Sequence, residues 1–384
     1  MGRRVLSTAA YTRVAREAER AGSATFAGEE RRQKGLGLHP LVDPSGGNLY
    51  DPIRRSISWL EPEADHFVLL RGVAMMEETR LDTTGSMGTN VKVAMDVLPS
   101  TYELLATGPA AVLGRYDVQM ITSIFGDVRD DYILCRSQAE MDERIAEQMT
   151  LMVPEGQGYD AAEDPQYGLF GGAYLTKVSI NDYGLKYYDF TVSDAPGRHR
   201  LDAENLVRVF GESVFEKVTE NGHGYQINAG NIPTTQEIVS SLLERAHAFF
   251  LQVGNYRDVT SFWRRIYGGH ERVIVIPEVR LLPYVKAAII GLTEGVFDLQ
   301  SVEKFLTSSN VAQDSARLIA RAVAGIPIGA QMALPNFHEI PLRGARFARR
   351  GDIWPIGHVN ASVEAAVDDD EEVEPEDEST EMWL

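Results

Sequence analysis

From His66 onward the chain alternates short apolar runs with stretches of helical periodicity. Val73 to Leu81 predicts a first strand and Asn90 to Thr107 a first helix. A second strand is expected over Val118 to Phe125, ending at Gly126-Asp127, and then a helix over Ser137 to Thr150 that packs through Ala139, Ile145, Ala146 and Met149. The polar loop Glu155 to Asp164 leads into a helical stretch reaching Tyr174, and Lys186 to Ser193 is a strand that stops at Asp194-Ala195-Pro196-Gly197. Leu201 to Thr219 and Thr234 to Arg245 read as helices, the second with Thr234 and Glu237 spaced for a capping box. The strand Ala246 to Val253, the helix Val259 to Tyr267, the strand Arg272 to Pro277 and the helix Leu281 to Leu292 complete the series. Such alternation implies an α/β fold with a doubly wound, mainly parallel sheet covered on both faces.

The two ends break this rhythm. Residues 1–65 read as an N-terminal arm, with an amphipathic helix over Ser7 to Gly22 and then glycine- and proline-marked turns. After the α/β region at 66–295, residues 296–360 lose their strand signals and read as a helical appendage: Leu299 to Leu306, Ala312 to Ala324 and Ile326 to Met332 are the helical stretches, before a basic irregular run from Pro335 to Arg350. Residues 361–384 are expected to be a disordered acidic tail, because eleven carboxylates and no Lys or Arg lie between Glu364 and Leu384.

That tail supplies −11 of the net charge of −19 and leaves −8 for the rest of the chain. So acidic a body is a poor grip for phosphate backbones, which argues against nucleic acid as a partner. No run of about 18 apolar residues is present to span a bilayer, and no signal-peptide core opens the chain, so a cytoplasmic protein is expected, or a virion component if the gene is a phage's. The single Cys135 excludes an intrachain disulfide and a thiolate zinc cluster.

The chemistry concentrates at Leu81-Asp82-Thr83-Thr84-Gly85-Ser86-Met87-Gly88. Asp82, Thr84 and Ser86 stand at alternate positions, so one carboxylate and two hydroxyls can converge at the mouth of a sheet. Hard oxygens of this kind suit Mg²⁺, which keeps several waters and is held by one or two carboxylates. Asp194 follows another strand, and the acidic, glycine-rich loop Glu155-Gly156-Gln157-Gly158-Tyr159-Asp160-Ala161-Ala162-Glu163 opens a helix between the two. Ligands of open parallel sheets bind at these carboxyl ends.

In these three segments the chain resembles the von Willebrand factor A-domain superfamily. The run from Asp82 to Gly88 looks like the first loop of that family's metal-ion-dependent adhesion site, Glu155 to Glu163 is similar to the second loop of many bacterial members, and Ser193-Asp194-Ala195-Pro196 looks like the third. The resemblance covers about residues 66 to 295; a fainter one links Tyr11 to Pro44 with bacterial and phage members. It implies a Rossmann-like sandwich with one Mg²⁺ or Mn²⁺ held by Asp82, Thr84, Ser86 and Asp194, with Asp160, or Glu163 in its place, where relatives carry a Thr. It further implies that an acidic residue of a partner protein completes the metal's coordination, that an ATPase is a candidate partner, and that the protein recognises rather than catalyses.

Two features depart from that pattern. Glu77, Glu78, Thr79 and Arg80 interrupt the first strand with polar groups that are costly in a central position unless paired, which suggests a strand starting earlier, over Phe67 to Met76, or one lying beside the N-terminal arm. The second loop also lacks the Thr. Two other readings compete. One is a structural assembly subunit that uses the fold as a scaffold without a functional metal. The other is a Mg²⁺-dependent phosphohydrolase of the haloacid dehalogenase type, weakened because Thr84 stands where an acid two residues after the nucleophilic Asp is required.

Overall fold

The computed structural model describes residues 27–46, 55–107, 111–142, 144–154, 161–221 and 227–354. The expected Ser7 to Gly22 helix, the loop residue Asp160 and the acidic tail lie outside the described residues. A helix α1 (Ala27–Gln33), a short strand β1 (Arg55–Ser56) and a hairpin of β2 (Leu60–Glu63) and β3 (His66–Leu69) come first. Then follow β4 (Ala74–Asp82), α2 (Thr89–Ala106), β5 (Asp117–Phe125), β6 (Leu134–Arg136), α3 (Arg144–Thr150) and α4 (Gln166–Phe170), which runs into a π turn over Gly171–Leu175. Next are β7 (Lys177–Val178), β8 (Tyr187–Ser193), α5 (Ala203–Phe210), α6 (Val214–Glu220), α7 (Thr235–Arg245), β9 (Ala246–Gln252), α8 (Arg257–Tyr267), β10 (Val273–Val275) and α9 (Leu282–Glu294). The helices α10 (Leu299–Ser308) and α11 (Gln313–Ala322) and the strand β11 (Arg346–Phe347) close the described chain.

Six strands form the main sheet in the order β10-β9-β8-β4-β5-β6, all parallel except β6, which runs antiparallel to β5. Chain order runs outward from β4 on one side and from β8 on the other, so the sheet reverses between these two central strands. Helices cover both faces, as the alternation of elements predicted. The site-bearing loops therefore emerge where an open sheet leaves a crevice.

The polar centre of β4 corrects the expectation of an earlier strand, while the start of β4 does lie beside the arm, Ala74 N–H donating to Ser58 Oγ at 3.1 Å. Phe67 belongs to the separate hairpin, and β4 is central and buried at all nine positions. It tolerates its charges because each meets a partner. On one face Lys286 of α9 lies 2.8 Å from Glu77 and donates to Thr79 at 2.6 Å. On the other, Arg80 donates to both Asp189 oxygens at 2.6 Å and Arg136 donates to Glu78 at 2.9 and 2.7 Å. Burial works against the charged form of Glu78, but Arg136 and Arg80 outweigh it and hold its pKa below the ordinary value.

Other boundaries differ for local reasons. Residues 137–142 are not helical, because their backbone is drawn to the β5 edge: Ser137 N–H donates to Thr122 O at 2.9 Å, and Met120 and Glu140 exchange bonds at 2.8 and 3.0 Å. The helix expected from Leu201 to Thr219 breaks at Gly211, where φ is +84° and a Cβ would stand 3.1 Å from Ser45 O. Ile326 to Met332 is a run of turns whose backbone donors serve the end of α9: Gly329 N–H to Leu292 O at 2.8 Å and Gln331 N–H to Thr293 O at 2.9 Å. The region after residue 296 is not wholly helical, since β11 pairs antiparallel with β3 and completes a small β11-β3-β2 sheet. The Thr234–Glu237 capping box is present, with Thr234 N–H donating to the Glu237 carboxylate at 2.7 Å. Among the described residues no helix is long and apolar enough to cross a membrane.

Candidate functional site

At the carboxyl ends of β4 and β8 the backbone turns deliver a connected set of oxygen groups. The loop after β4 is pinned to the neighbouring strand by Thr83, whose N–H and hydroxyl each donate to Phe125 O at 3.1 Å. It then folds back so that Thr84 gives Asp82 Oδ1 two bonds, from its N–H at 2.8 Å and from its hydroxyl at 2.7 Å. This local carboxylate-to-backbone closure is a common use of Asp in turns. Gly88, with φ +49°, lets the chain leave the turn and enter α2.

The last residue of β8, Ser193, donates its hydroxyl to Asp82 Oδ2 at 2.5 Å and accepts from Ala195 N–H at 3.0 Å. Ser86 donates to Asp194 Oδ1 at 2.7 Å, and its hydroxyl lies 3.3 Å from that of Thr84. A continuous chain thus runs Ser193, Asp82, Thr84, Ser86, Asp194. Asp82, Thr84 and Ser193 are buried, whereas Ser86 is exposed and Asp194 half-buried, so the set opens to solvent on the Ser86–Asp194 side. Four of the five residues expected to gather here, Asp82, Thr84, Ser86 and Asp194, are brought together. Ser193 was not foreseen as a participant; its position as the final residue of a strand ending in Asp was the available signal.

A second carboxylate stands behind Asp82. Glu163 is buried to 3% exposure beside Thr84, with its N–H bonded to Pro196 O at 2.9 Å and one carboxyl oxygen, Oε2, buried without a hydrogen-bond partner. Burial, followed by the nearby charge of Asp82, pushes its pKa up to about 8 against the opposing Thr84 hydroxyl. Burial likewise lifts Asp82 to about 6, although Ser193 and Thr84 favour its charged form. Two acids thus stand close together with hydroxyl and amide donors and, among the described residues, no cationic side chain bonded to either.

The frame around them is charge-compensated. Arg198 donates to Asp127 Oδ2 at 2.8 Å and Asp164 Oδ1 at 2.9 Å, and Val128 N–H donates to Asp164 Oδ2 at 2.9 Å. These contacts tie the loop after β5 to the segment that carries Glu163 and to the chain leaving β8. Gly197 is needed where it is, since a Cβ there would meet the Trp263 ring at 2.9 Å while Trp263 Nε1–H donates to Ala195 O at 3.0 Å.

Among the described residues no three His, Cys, Asp or Glu side chains are grouped closely enough to hold a metal by themselves. A cation at this place would rest on one or two carboxylates, the hydroxyls of Thr84 and Ser86, and water. That donor set fits Mg²⁺ or Mn²⁺ and fits neither zinc nor copper. The buried Glu163 Oε2, which has no hydrogen-bond partner, is an acceptor that such a cation would satisfy.

No protein-family model and no curated protein matches the chain. Among solved structures it is similar to proximal thread matrix protein 1 from the mussel byssus, at TM-score 0.36 and 12% identity over 58% of this chain and 47% of that one. It is also similar to the pilus adhesin SpaC from Lactobacillus rhamnosus GG, at TM-score 0.35 and 11% identity over 64% of this chain and 35% of that one. In both comparisons the chain spans less than half the length of the matched protein.

Proposed function

We propose that the protein is a Mg²⁺- or Mn²⁺-dependent protein-binding module of the von Willebrand A type, working within a larger assembly and not as an enzyme. The observation that carries this reading is the oxygen chain from Ser193 through Asp82, Thr84 and Ser86 to Asp194, standing where strand order reverses. Asp82, Thr84 and Ser86 would hold the ion, Asp194 would reach it directly or through water, and Glu163 would take the second-loop position that Asp160 was expected to fill. The bound cation supplies a positive centre for an acidic side chain of the partner. On the protein's side, Ser193 and Thr84 keep Asp82 oriented, and burial excludes water from all but the Ser86–Asp194 opening.

A second reading is favoured by one feature. Both Asp82 oxygens and the Ser86 hydroxyl already have partners within the protein, as they would in a scaffold that had dispensed with its metal. Calorimetric titration with Mg²⁺ and Mn²⁺ separates the two. The module should take one ion per chain and lose it in both Asp82→Ala and Asp194→Ala while circular dichroism stays unchanged. No uptake by the wild-type protein would replace the cation reading with the scaffold.

A further inference from the structure

The polar column that ends at Asp82 starts deeper in the sheet. Glu78, Arg80 and Asp82 alternate along β4 and share one face. Arg80, fully buried, forks onto both oxygens of Asp189 in β8 at 2.6 Å and lies 3.3 Å from Glu78. Glu78 is gripped in turn by Arg136, which also donates to Thr176 at 2.7 Å, and the Thr176 hydroxyl donates to Gly171 O at 2.9 Å.

The α4 helix and its π turn lie directly over the Arg80 guanidinium. A Cβ at Gly168 would stand 2.6 Å from Arg80 Cδ, and one at Gly172 would stand 2.5 Å from its Nη2. Both positions require glycine because the helix backbone rests on the side chain. Tyr187 OH adds a bond to Gly172 O at 3.0 Å. The residues that seat on Arg80 are therefore those that carry the site: β4 reaches Asp82 two residues on, β8 runs from Asp189 to Ser193 and Asp194, and α4 begins three residues after Glu163.

The geometry points to Arg80 as a positioning residue, whose ion pair with Asp189 and glycine-lined seat fix the three segments that bring Asp82, Asp194 and Glu163 together. This inference rests on the cation-site reading. A buried ion pair adds little stability over well-packed apolar side chains, whereas its planar two-bond fork sets relative strand position and orientation. Lysine could supply the charge without the fork.

Two variants test it. Arg80→Met/Asp189→Leu removes both charges together and strands neither; Arg80→Lys keeps the charge, and carries the test if the double variant fails to fold. Each is compared with wild type by Mn²⁺ titration, by amide hydrogen exchange over residues 163–175, and with Glu163→Gln added. Mn²⁺ affinity should fall about 10- to 100-fold, as for other residues that orient ligands from behind. Exchange over 163–175 should accelerate, and Glu163→Gln should lose its separate effect once the seat is gone. Unchanged exchange together with an additive Glu163→Gln effect would overturn the assignment and leave the pair as core filling. Absence of Mn²⁺ binding in the wild type would instead overturn the cation reading, and the exchange result would then decide the role of Arg80 alone.

Discussion

Two sets of buried carboxylates sit within one strand of each other and are treated in opposite ways. In the middle of the sheet Glu78 and Asp189 face Arg80 and Arg136 in close two-bond geometry, which holds Glu78 below its ordinary pKa although burial still raises Asp189. At the top of the same column Asp82 and Glu163 face Ser193 and Thr84, and burial raises both acids, to about 6 and about 8. Hydroxyl donors stabilise a buried carboxylate, but less than a guanidinium does. Guanidinium partners thus serve the middle of the sheet, and the acids at its top rely on hydroxyl and amide donors.

The largest effect should come from breaking the compensated set. Arg80→Met alone leaves Asp189 buried without its partner, and breaking one side of a buried pair typically costs about 3–5 kcal/mol. Removing both partners in Arg80→Met/Asp189→Leu should restore most of that loss. Urea unfolding of the two variants measures the difference; equal stabilities would mean that the middle of the sheet does not depend on pairing.

A third buried carboxylate sharpens the contrast, away from any candidate ligand. Glu294, at the end of α9, accepts from Tyr188 OH at 2.7 Å and Tyr116 OH at 3.0 Å. Burial pushes it up from 4.5 to about 7 in spite of these two donors. The folded protein therefore keeps a proton that the unfolded chain releases near pH 4.5. Its contribution to stability is complete below that value and is lost as pH rises through about 7, a change on the order of 3 kcal/mol. Glu294→Gln should remove this part of the fall in stability between pH 5 and pH 8. A variant whose denaturation midpoints follow the wild type's across that range would show that the two tyrosine hydroxyls compensate the buried Glu294 charge in full.

The alternation of apolar runs and helical periods was enough to place the parallel strands, because β9 and most of β5 and β8 are buried on both faces and read as near-continuous apolar or aromatic runs. It failed where buried side chains are charged. β4 looked too polar to be central because Glu77, Glu78 and Arg80 find partners far along the chain, at Lys286, Arg136 and Asp189, and such pairings have no local signature. β6 has only three residues, one of them Arg136, so the apolar pattern does not delimit it. At the site, Asp82, Thr84, Ser86 and Asp194 were legible from loop spacing. Glu163 was legible only as the alternative to Asp160; its burial beside Thr84 depends on a crossing between loops that the folded chain supplies.

The smallest predicted effect addresses whether the upper carboxylates are under-compensated by design of the site or by accident of burial. Ser193 gives Asp82 its shortest bond, at 2.5 Å to Oδ2, while both Thr84 donors go to the other oxygen, Oδ1. In a scaffold without metal, Ser193→Ala would leave a buried acceptor short of a donor and lower stability by about 1–3 kcal/mol, whatever ions are present. In a cation-binding module the same loss should appear only without added ion, since a bound Mg²⁺ gives Asp82 a stronger partner than the hydroxyl it lost. Thermal melts of Ser193→Ala with and without Mg²⁺ should then show a larger cation-induced rise than the wild type. An equal rise, or none in either protein, would place Ser193 with the structural bonds of the sheet and remove the contrast between its middle and its top.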